Sequence, residues 1–267
     1  MASSRYGRGV ALLTEGLVIL VSILAAFMLE GWRADRELNR DLVQELTSVQ
    51  RELERNRDLV SSQIASLSRV VSGTRGLLTL LDSSPGSSMV PVVDTLVFLS
   101  TGYSPSLDPS LGALDALITS GRLSQIRDPE LRLKLAGVRY LLLDAMEEES
   151  VARKVLLEHI FPLVRDDLDL GVTERVATEF FGSREASGVT TQERAAGRSL
   201  PSYRTVGYPN SNAIRSTIAM QTTWLETGID EYAQVLEYIG DLMQRLAQEL
   251  DHRQPDLLSN TELLLSG

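Results

Sequence analysis

The chain has no cysteine, which excludes disulfide frameworks, thiolate zinc sites, iron–sulfur clusters and cysteine nucleophiles. Its two histidines, His159 and His252, leave little material for an imidazole metal site or a histidine acid–base pair. Aromatic residues make up only 5 %, while Leu, Arg, Glu and Ala recur throughout, a composition that favours helices over β-sandwiches. A basic tract is missing too. With 26 basic residues against 36 acidic ones and a formal charge of −10, the clustered cations that nucleic-acid binding needs are not there, and no nucleic acid is expected as a partner. The phosphate-cradling G-x-x-x-x-G-K and G-x-G-x-x-G motifs and the G-x-S-x-G nucleophile elbow do not occur.

Over 267 residues, 43 % are apolar and 23 % charged, close to globular averages, so the chain as a whole is not disordered. Its length suits one large domain or one domain plus appendages. The longest apolar run lies near the N-terminus. Val10 to Leu29 reads VALLTEGLVILVSILAAFML, with Glu15 its single charge, which matches the ~20 residues needed to cross a ~30 Å hydrocarbon layer. Arg5 and Arg8 precede it, and Trp32 follows as an interfacial anchor beside Arg33 and Arg36. A cleaved signal peptide is the rival reading; the length of the run, Glu15 and the lack of an A-x-A-type site favour an uncleaved anchor. Basic residues flank both ends, so orientation rests on the short tail and the large acidic remainder, which favour an N-in anchor with the bulk outside the cytoplasm. Glu15 either snorkels to the near interface or pairs with a donor on another helix. Gly16, Ser22 and Ala26 are small enough for close helix approach.

The helical pattern continues past the span. Residues 33–82 hold no proline, and Leu38, Leu42, Leu46, Val49, Leu53, Val60, Ile64, Leu67, Val71 and Leu78 recur at helical steps, with Asn56 on the same seam. Arg51, Glu52, Glu54, Arg55, Arg57 and Asp58 read as the solvated opposite face. Gly73 and Gly76 weaken the distal end, and Ser83-Ser-Pro-Gly-Ser-Ser ends it. Residues 92–100 fit a helix or a buried strand equally, and a helix near 110–120 ends at Gly121. Asp128, Pro129 and Glu130 mark a helix start, leading to a kink or end near Pro162. A short helix is expected from Thr173 to Phe181, then a mobile connection over 182–212 rich in Gly, Ser, Thr and Pro. The final helix carries an a/d seam of Leu225, Ile229, Tyr232, Leu236, Ile239, Met243, Leu246 and Leu250, which packs against the stalk or a partner copy and ends at Pro255.

These elements assemble into an all-α protein. The expected divisions are an N-terminal tail (1–9), a transmembrane helix (10–30), a stalk helix (31–82), a helical bundle (83–254) and a C-terminal tail (255–267).

Two blocks carry a resemblance. Residues 15–56, with Glu15 opening the span, Trp32 seventeen residues later and ELERN at 52–56, resemble a family of bacterial single-pass membrane proteins of unknown function. LDALITSGRLSQIRDPELRLKL at 114–135 is similar to a second block of that family. Glu30-Gly31 departs from it, since amides usually precede the Trp there. The resemblance implies a single-pass anchor and a long charged helix, and no activity.

Few residues carry chemistry. Glu249-x-x-His252 is the element a di-iron bundle uses to place two ligands on one helix face, but the second copy it requires is missing. Glu147, Glu148 and Glu149 point to different helix faces and read as a solvated surface. No catalytic, cofactor or metal site is assigned. The expected function is that of a membrane-anchored scaffold or accessory subunit of a larger integral membrane complex, held by the lipid bilayer and by other subunits or self-association. Large energy-converting complexes, respiratory or photosynthetic, recruit such single-span subunits. The alternative is an extracytoplasmic helical sensor coupled through its membrane helix.

Overall fold

A computed structural model describes the backbone of residues 3–168, 171–181 and 204–265, and side chains within these ranges from Leu17 to Arg253 apart from Val172, Glu179 and Phe181. The chain is mostly helical. An 80-residue helix, α1 (Ser3–Asp82), opens it and spans about 120 Å at 1.5 Å per residue. Then come β1 (Met89–Val93), α2 (Asp94–Val97), a π-turn at Phe98–Gly102 and α3 (Gly112–Thr119). A 3₁₀ turn at Arg122–Gln125 leads to α4 (Pro129–Lys154), a π-helical segment (Val155–Ile160) and α5 (Phe161–Val164). The last elements are α6 (Gly171–Phe181), β2 (Thr205–Pro209) and the 54-residue α7 (Asn212–Leu265).

Helix α7 packs lengthwise against both α1 and α4 and runs antiparallel to each. Thr222 donates to Thr74 at one end of its contact with α1, and Arg253 donates to Asn39 at the other. Along α4 the same order reversal sets Tyr232 on Glu149 and Arg245 on Asp128. All three helices bury a strict seven-residue repeat. On α1 it is Leu42, Leu46, Val49, Leu53, Asn56, Val60, Gln63, Leu67, Val70, Thr74, Leu77 and Leu81. On α4 it is Leu131, Leu135, Val138, Leu142, Ala145, Glu149 and Ala152. On α7 it is Ile214, Ile218, Gln221, Leu225, Gly228, Tyr232, Val235, Ile239, Leu242, Leu246, Glu249 and Arg253. Steps of three and four average 3.5 residues, the period that keeps neighbouring helices in register over many turns. Tyr103, Leu107, Leu114, Leu117 and Ile126, from the segment between α2 and α4, complete this core.

The seams correct the sequence-based expectation in phase. Leu225, Tyr232, Ile239 and Leu246 lie on the α7 seam, but Ile229, Leu236 and Met243 are only partly buried at its flank, and Leu250 is buried beside it. The true partners in the repeat are Gly228, Val235, Leu242 and Glu249. On α1, Leu38 is exposed, and Gln63, Val70, Thr74 and Leu77 carry the seam where Ile64, Val71 and Leu78 were expected. The reason is local: at Gln63, Gly228 and Glu249 a polar or small residue holds the seam and the next residue is apolar, while at Val70, Leu77, Val235 and Leu242 two adjacent apolar residues fit a three-or-four step equally well.

Other boundaries change too. The 1–9 tail is helical from Ser3, and α7 continues through Pro255 to Leu265, although proline's missing N–H removes one intrahelical bond. The chain is not purely helical, because β1 and β2 form a two-stranded antiparallel ribbon with Val90 opposite Tyr208. Thus 92–100 divides between a strand end, a helical turn and a π-turn. Of the 182–212 connection, 205–209 is strand, and 182–203 lie outside the described residues. The ribbon covers a second cluster of Leu77, Leu81, Val97, Ile160, Val164 and Ile218 at the far end of the long helices. Gly73 does not weaken α1 idly, since a Cβ there would lie 2.6 Å from Leu99 Cβ; the π-turn is packed directly on it. The Asp128 cap forms as expected, its carboxylate accepting from Glu130 N at 2.8 Å with Pro129 in the first turn. The π-helical segment falls just before Pro162, where a kink was expected.

Ile239 is fully buried on the seam, so Ile239→Asp places an unpaired charge in the core. It should lower stability by roughly 3–5 kcal/mol, read as a fall in melting temperature of the detergent-solubilised chain. An unchanged melting temperature would place this seam in solvent.

Candidate functional site

Among the described residues, buried glutamates enter the core at three levels, and each ties elements that are distant in sequence. At the first, Glu52 of α1 is buried against the N-terminus of α3. Its Oε1 accepts from Ala113 N at 3.0 Å and from the Ser110 hydroxyl at 3.0 Å, and its Oε2 accepts from Leu114 N at 2.9 Å. Leu111, the residue that flanks α3, offers no capping side chain of its own. Glu52 is therefore the cap, supplied from another helix, with its charge on the positive end of the α3 dipole. One turn on, Asn56 donates to Ser110 O at 2.6 Å and accepts from Ser110 N at 3.0 Å. Glu52 was expected on a solvated face; Arg51, Arg55, Arg57 and Asp58 are on one. The structure thus joins ELERN at 52–56 to the segment beginning at Leu114.

At the second level, Glu149 sits between all three long helices. Its Oε2 accepts from Gln63 Nε2 of α1 at 2.7 Å, from the Tyr232 hydroxyl of α7 at 2.8 Å and from Leu107 N at 3.3 Å. Arg153, one turn along α4, reaches Oε1 at 2.8 Å. Burial pushes the Glu149 carboxyl above the usual carboxylate range despite these four donors. Burial and the adjacent Glu149 charge push the Tyr232 hydroxyl up as well. Glu149 is a correction to the solvated reading of 147–149: Glu147 is exposed and Glu149 is core. Its phase was legible, since Leu142, Ala145 and Ala152 continue the same repeat.

At the third level, Glu249 Oε1 accepts from Arg253 Nε at 2.7 Å and from Arg127 N at 3.1 Å. Arg253 then donates to Gln125 O at 2.6 Å and Asn39 Oδ1 at 2.8 Å, closing the end of the core nearest the apolar stretch. Glu249 points inward while His252 is exposed with Nδ1 on Gln248 O, so the two do not converge. Among the described residues, no group of three or more His, Asp or Glu is placed to hold a metal.

The remaining expected contacts lie along the N-terminal half of α1. Every described side chain from Leu17 to Leu29 is exposed, and this is the one described helix segment long and apolar enough to cross a membrane. Ser22 donates to Val18 O at 2.8 Å, and Ser22 and Ala26 both face outward. Trp32 is 41 % exposed with the Arg36 guanidinium 4.4 Å from its ring centroid. The side chains of Glu15 and Gly16 lie outside the described residues. Beyond Asp41 an open groove of about 430 Å³ is lined by Asp41, Gln44, Glu45, Ser48, Ala113, Ala116 and Arg122. Arg122 occupies it as an ion pair with Asp41 and Glu45 at 3.2 and 3.0 Å.

No protein-family model, no curated protein and no solved structure matches the chain.

Removing the Glu52 carboxylate strips the cap from α3. Glu52→Ala should cost about 1–2 kcal/mol and speed hydrogen exchange at the Ala113 and Leu114 amides, while unchanged exchange there would deny Glu52 the capping role. Glu149→Ala removes the acceptor that Gln63, Tyr232 and Leu107 N share and should cost roughly 3 kcal/mol at pH 7 by chemical denaturation.

A second test of Glu149 is its pH dependence. Its raised pKa means that the folded chain binds this proton more tightly than the unfolded chain does. Stability is therefore greatest below the ordinary value of 4.5 and is lost as pH rises through the elevated one. Relative to Glu149→Gln, which does not titrate, the wild type should gain stability from pH 7 down to pH 4.5. A difference independent of pH would mean that burial does not hold the proton.

Proposed function

We propose that the protein is a single-pass, membrane-anchored helical scaffold, a non-enzymatic accessory subunit of a larger integral membrane complex. The observation that carries this reading is the division of α1. From Leu17 to Leu29 its apolar side chains are all exposed, and from Leu42 onward the same unbroken helix supplies one wall of the core. Such a helix transmits position directly from a lipid layer to a folded domain. Residues 30–41 between the two parts are predominantly polar and exposed, and at 1.5 Å per residue they hold the core about 18 Å from the apolar stretch. That clears the headgroup zone, which is only several ångströms deep on each side of a ~30 Å hydrocarbon layer.

In this reading the bundle of α1, α4 and α7 lies outside the cytoplasm, with the start of α1 on the cytoplasmic side. Trp32 and Arg36 sit at the interface, and Glu15, Gly16, Ser22 and Ala26 face neighbouring membrane helices. The buried carboxylates support a structural role: Glu52 and Glu149 accept through both oxygens, and Glu249 through Oε1, from donors of the chain itself.

The test is gentle detergent extraction from native membranes, followed by native-mass separation and identification of co-migrating chains. Stoichiometric co-migration with a larger integral complex is expected. Recovery in the soluble fraction would overturn the anchor, and migration without other subunits would overturn the accessory role. Glu15→Leu should leave the melting temperature unchanged and reduce retention of the partner; equal retention would assign Glu15 to the lipid interface.

A further inference from the structure

Helix α4 is apolar on two sides. Leu131, Leu135, Val138 and Leu142 face the core, and a second stripe, Leu133, Ala136, Tyr140 and Leu143, faces away from it. The second set steps by three, four and three residues, and all four are exposed, Leu133 at 74 % and Tyr140 at 70 %. An outward helix face is ordinarily polar, as α1 is over Arg51, Glu54, Arg55 and Asp58. With Leu133 and Tyr140 at position a of a heptad, and Ala136 and Leu143 at d, Arg139 falls at g and Asp144 at the following e. Opposite charges at those two positions are what pair across a parallel two-stranded coiled coil.

We infer that this stripe packs on the same stripe of a second copy of the chain in the same membrane, α4 running parallel to the partner's α4. The direction rests on the membrane anchor proposed above. Helices α1 and α4 are both antiparallel to α7, so α4 points away from the membrane as α1 does, and two copies anchored alike present α4 in the same sense. In that pairing each stripe residue meets its own counterpart. Arg139, which reaches Asp115 at 2.7 Å within one chain, lies beside the partner's Asp144 as well. Anchoring in one bilayer raises the effective concentration of the two short stripes, so a modest apolar contact suffices. An antiparallel pair would set Leu133 against the partner's Leu143 and would require two membranes facing each other.

The cysteine-free sequence makes the test direct. Leu133→Cys and Leu143→Cys, each made singly in the full chain, are oxidised mildly in intact membranes, with Gln234→Cys on the outer face of α7 as the comparison. Same-residue disulfide dimers of both stripe variants and none of Gln234→Cys are expected, and adding Tyr140→Glu should abolish the Leu143→Cys dimer without lowering the melting temperature. Membrane-bound chain with no dimer from either stripe variant would overturn the pairing while leaving the anchor intact. A dimer formed only when the two variants are mixed would overturn the parallel direction. Recovery of the chain in the soluble fraction would overturn the anchor and the same-membrane pairing built on it.

Discussion

The structure depends on the shared seven-residue phase of α7 with its two neighbours. A 54-residue helix can lie along both α1 and α4 only if the stripe it buries neither drifts around its surface nor breaks, and a 3.5-residue period prevents both. Once α7 is so placed, the segment between α2 and α4 has a single space to fill, and Tyr103, Leu107, Leu114 and Leu117 fill it. The strand ribbon and α5 then close the far end, where the seam residues Leu77, Leu81, Ile214 and Ile218 would otherwise lie open.

A continuous apolar repeat would permit slippage by one heptad with little loss, and the polar seam residues oppose it. Sliding α7 by seven residues takes the Tyr232 hydroxyl away from Glu149, Thr222 away from Thr74, and Arg253 away from Asn39 at once. The Tyr232 hydroxyl is then buried without its acceptor, a penalty of about 1–3 kcal/mol, while the two threonines keep only their own-helix carbonyls. Glu149 illustrates the balance: its charge is disfavoured by burial, yet it is the single acceptor that touches α1, α7 and the Leu107 backbone together. Buried polar groups in a seam reduce stability and specify register. That account fits four of the seam's polar positions, Asn56, Gln63, Thr74 and Glu249, because each has a partner on a different element.

Features whose cause is local were legible in the sequence, and those whose cause is tertiary were not. The Asp128-Pro129-Glu130 start involves three adjacent residues and their own backbone, and it forms as read. The helicity of 33–82 follows from the absence of proline and from repeated apolar steps, and it too is observed. Glu52 misled because nothing near it in sequence reveals the α3 N-terminus about sixty residues on that needs its carboxylate. Gly73 misled for the same reason, as its function lies in Leu99. The seams failed halfway: at Gly228 and Glu249 a rule that counts apolar residues prefers Ile229 and Leu250, and only the packed helices decide between adjacent phases. Most of the contacts expected around the apolar stretch were with groups outside this chain, and the fold of one chain leaves Ser22, Ala26 and Trp32 facing outward.

That outward character is uneven, and the unevenness ties the two exposed apolar surfaces to one geometry. The stretch from Leu17 to Leu29 is apolar all round, as suits a helix surrounded by lipid chains. The stripe on α4 is narrow, one side of one helix, and is bordered by Arg139 and Asp144, as suits a contact with a matching helix in water. A charged border on the first would be costly in a bilayer, and an all-round apolar surface on the second would associate without direction. One helix, α1, connects the two environments without a break. Its stiffness couples the tilt of the apolar segment to the position of the α4 stripe roughly 120 residues later in the chain, because α7 locks α4 to α1 along most of the core.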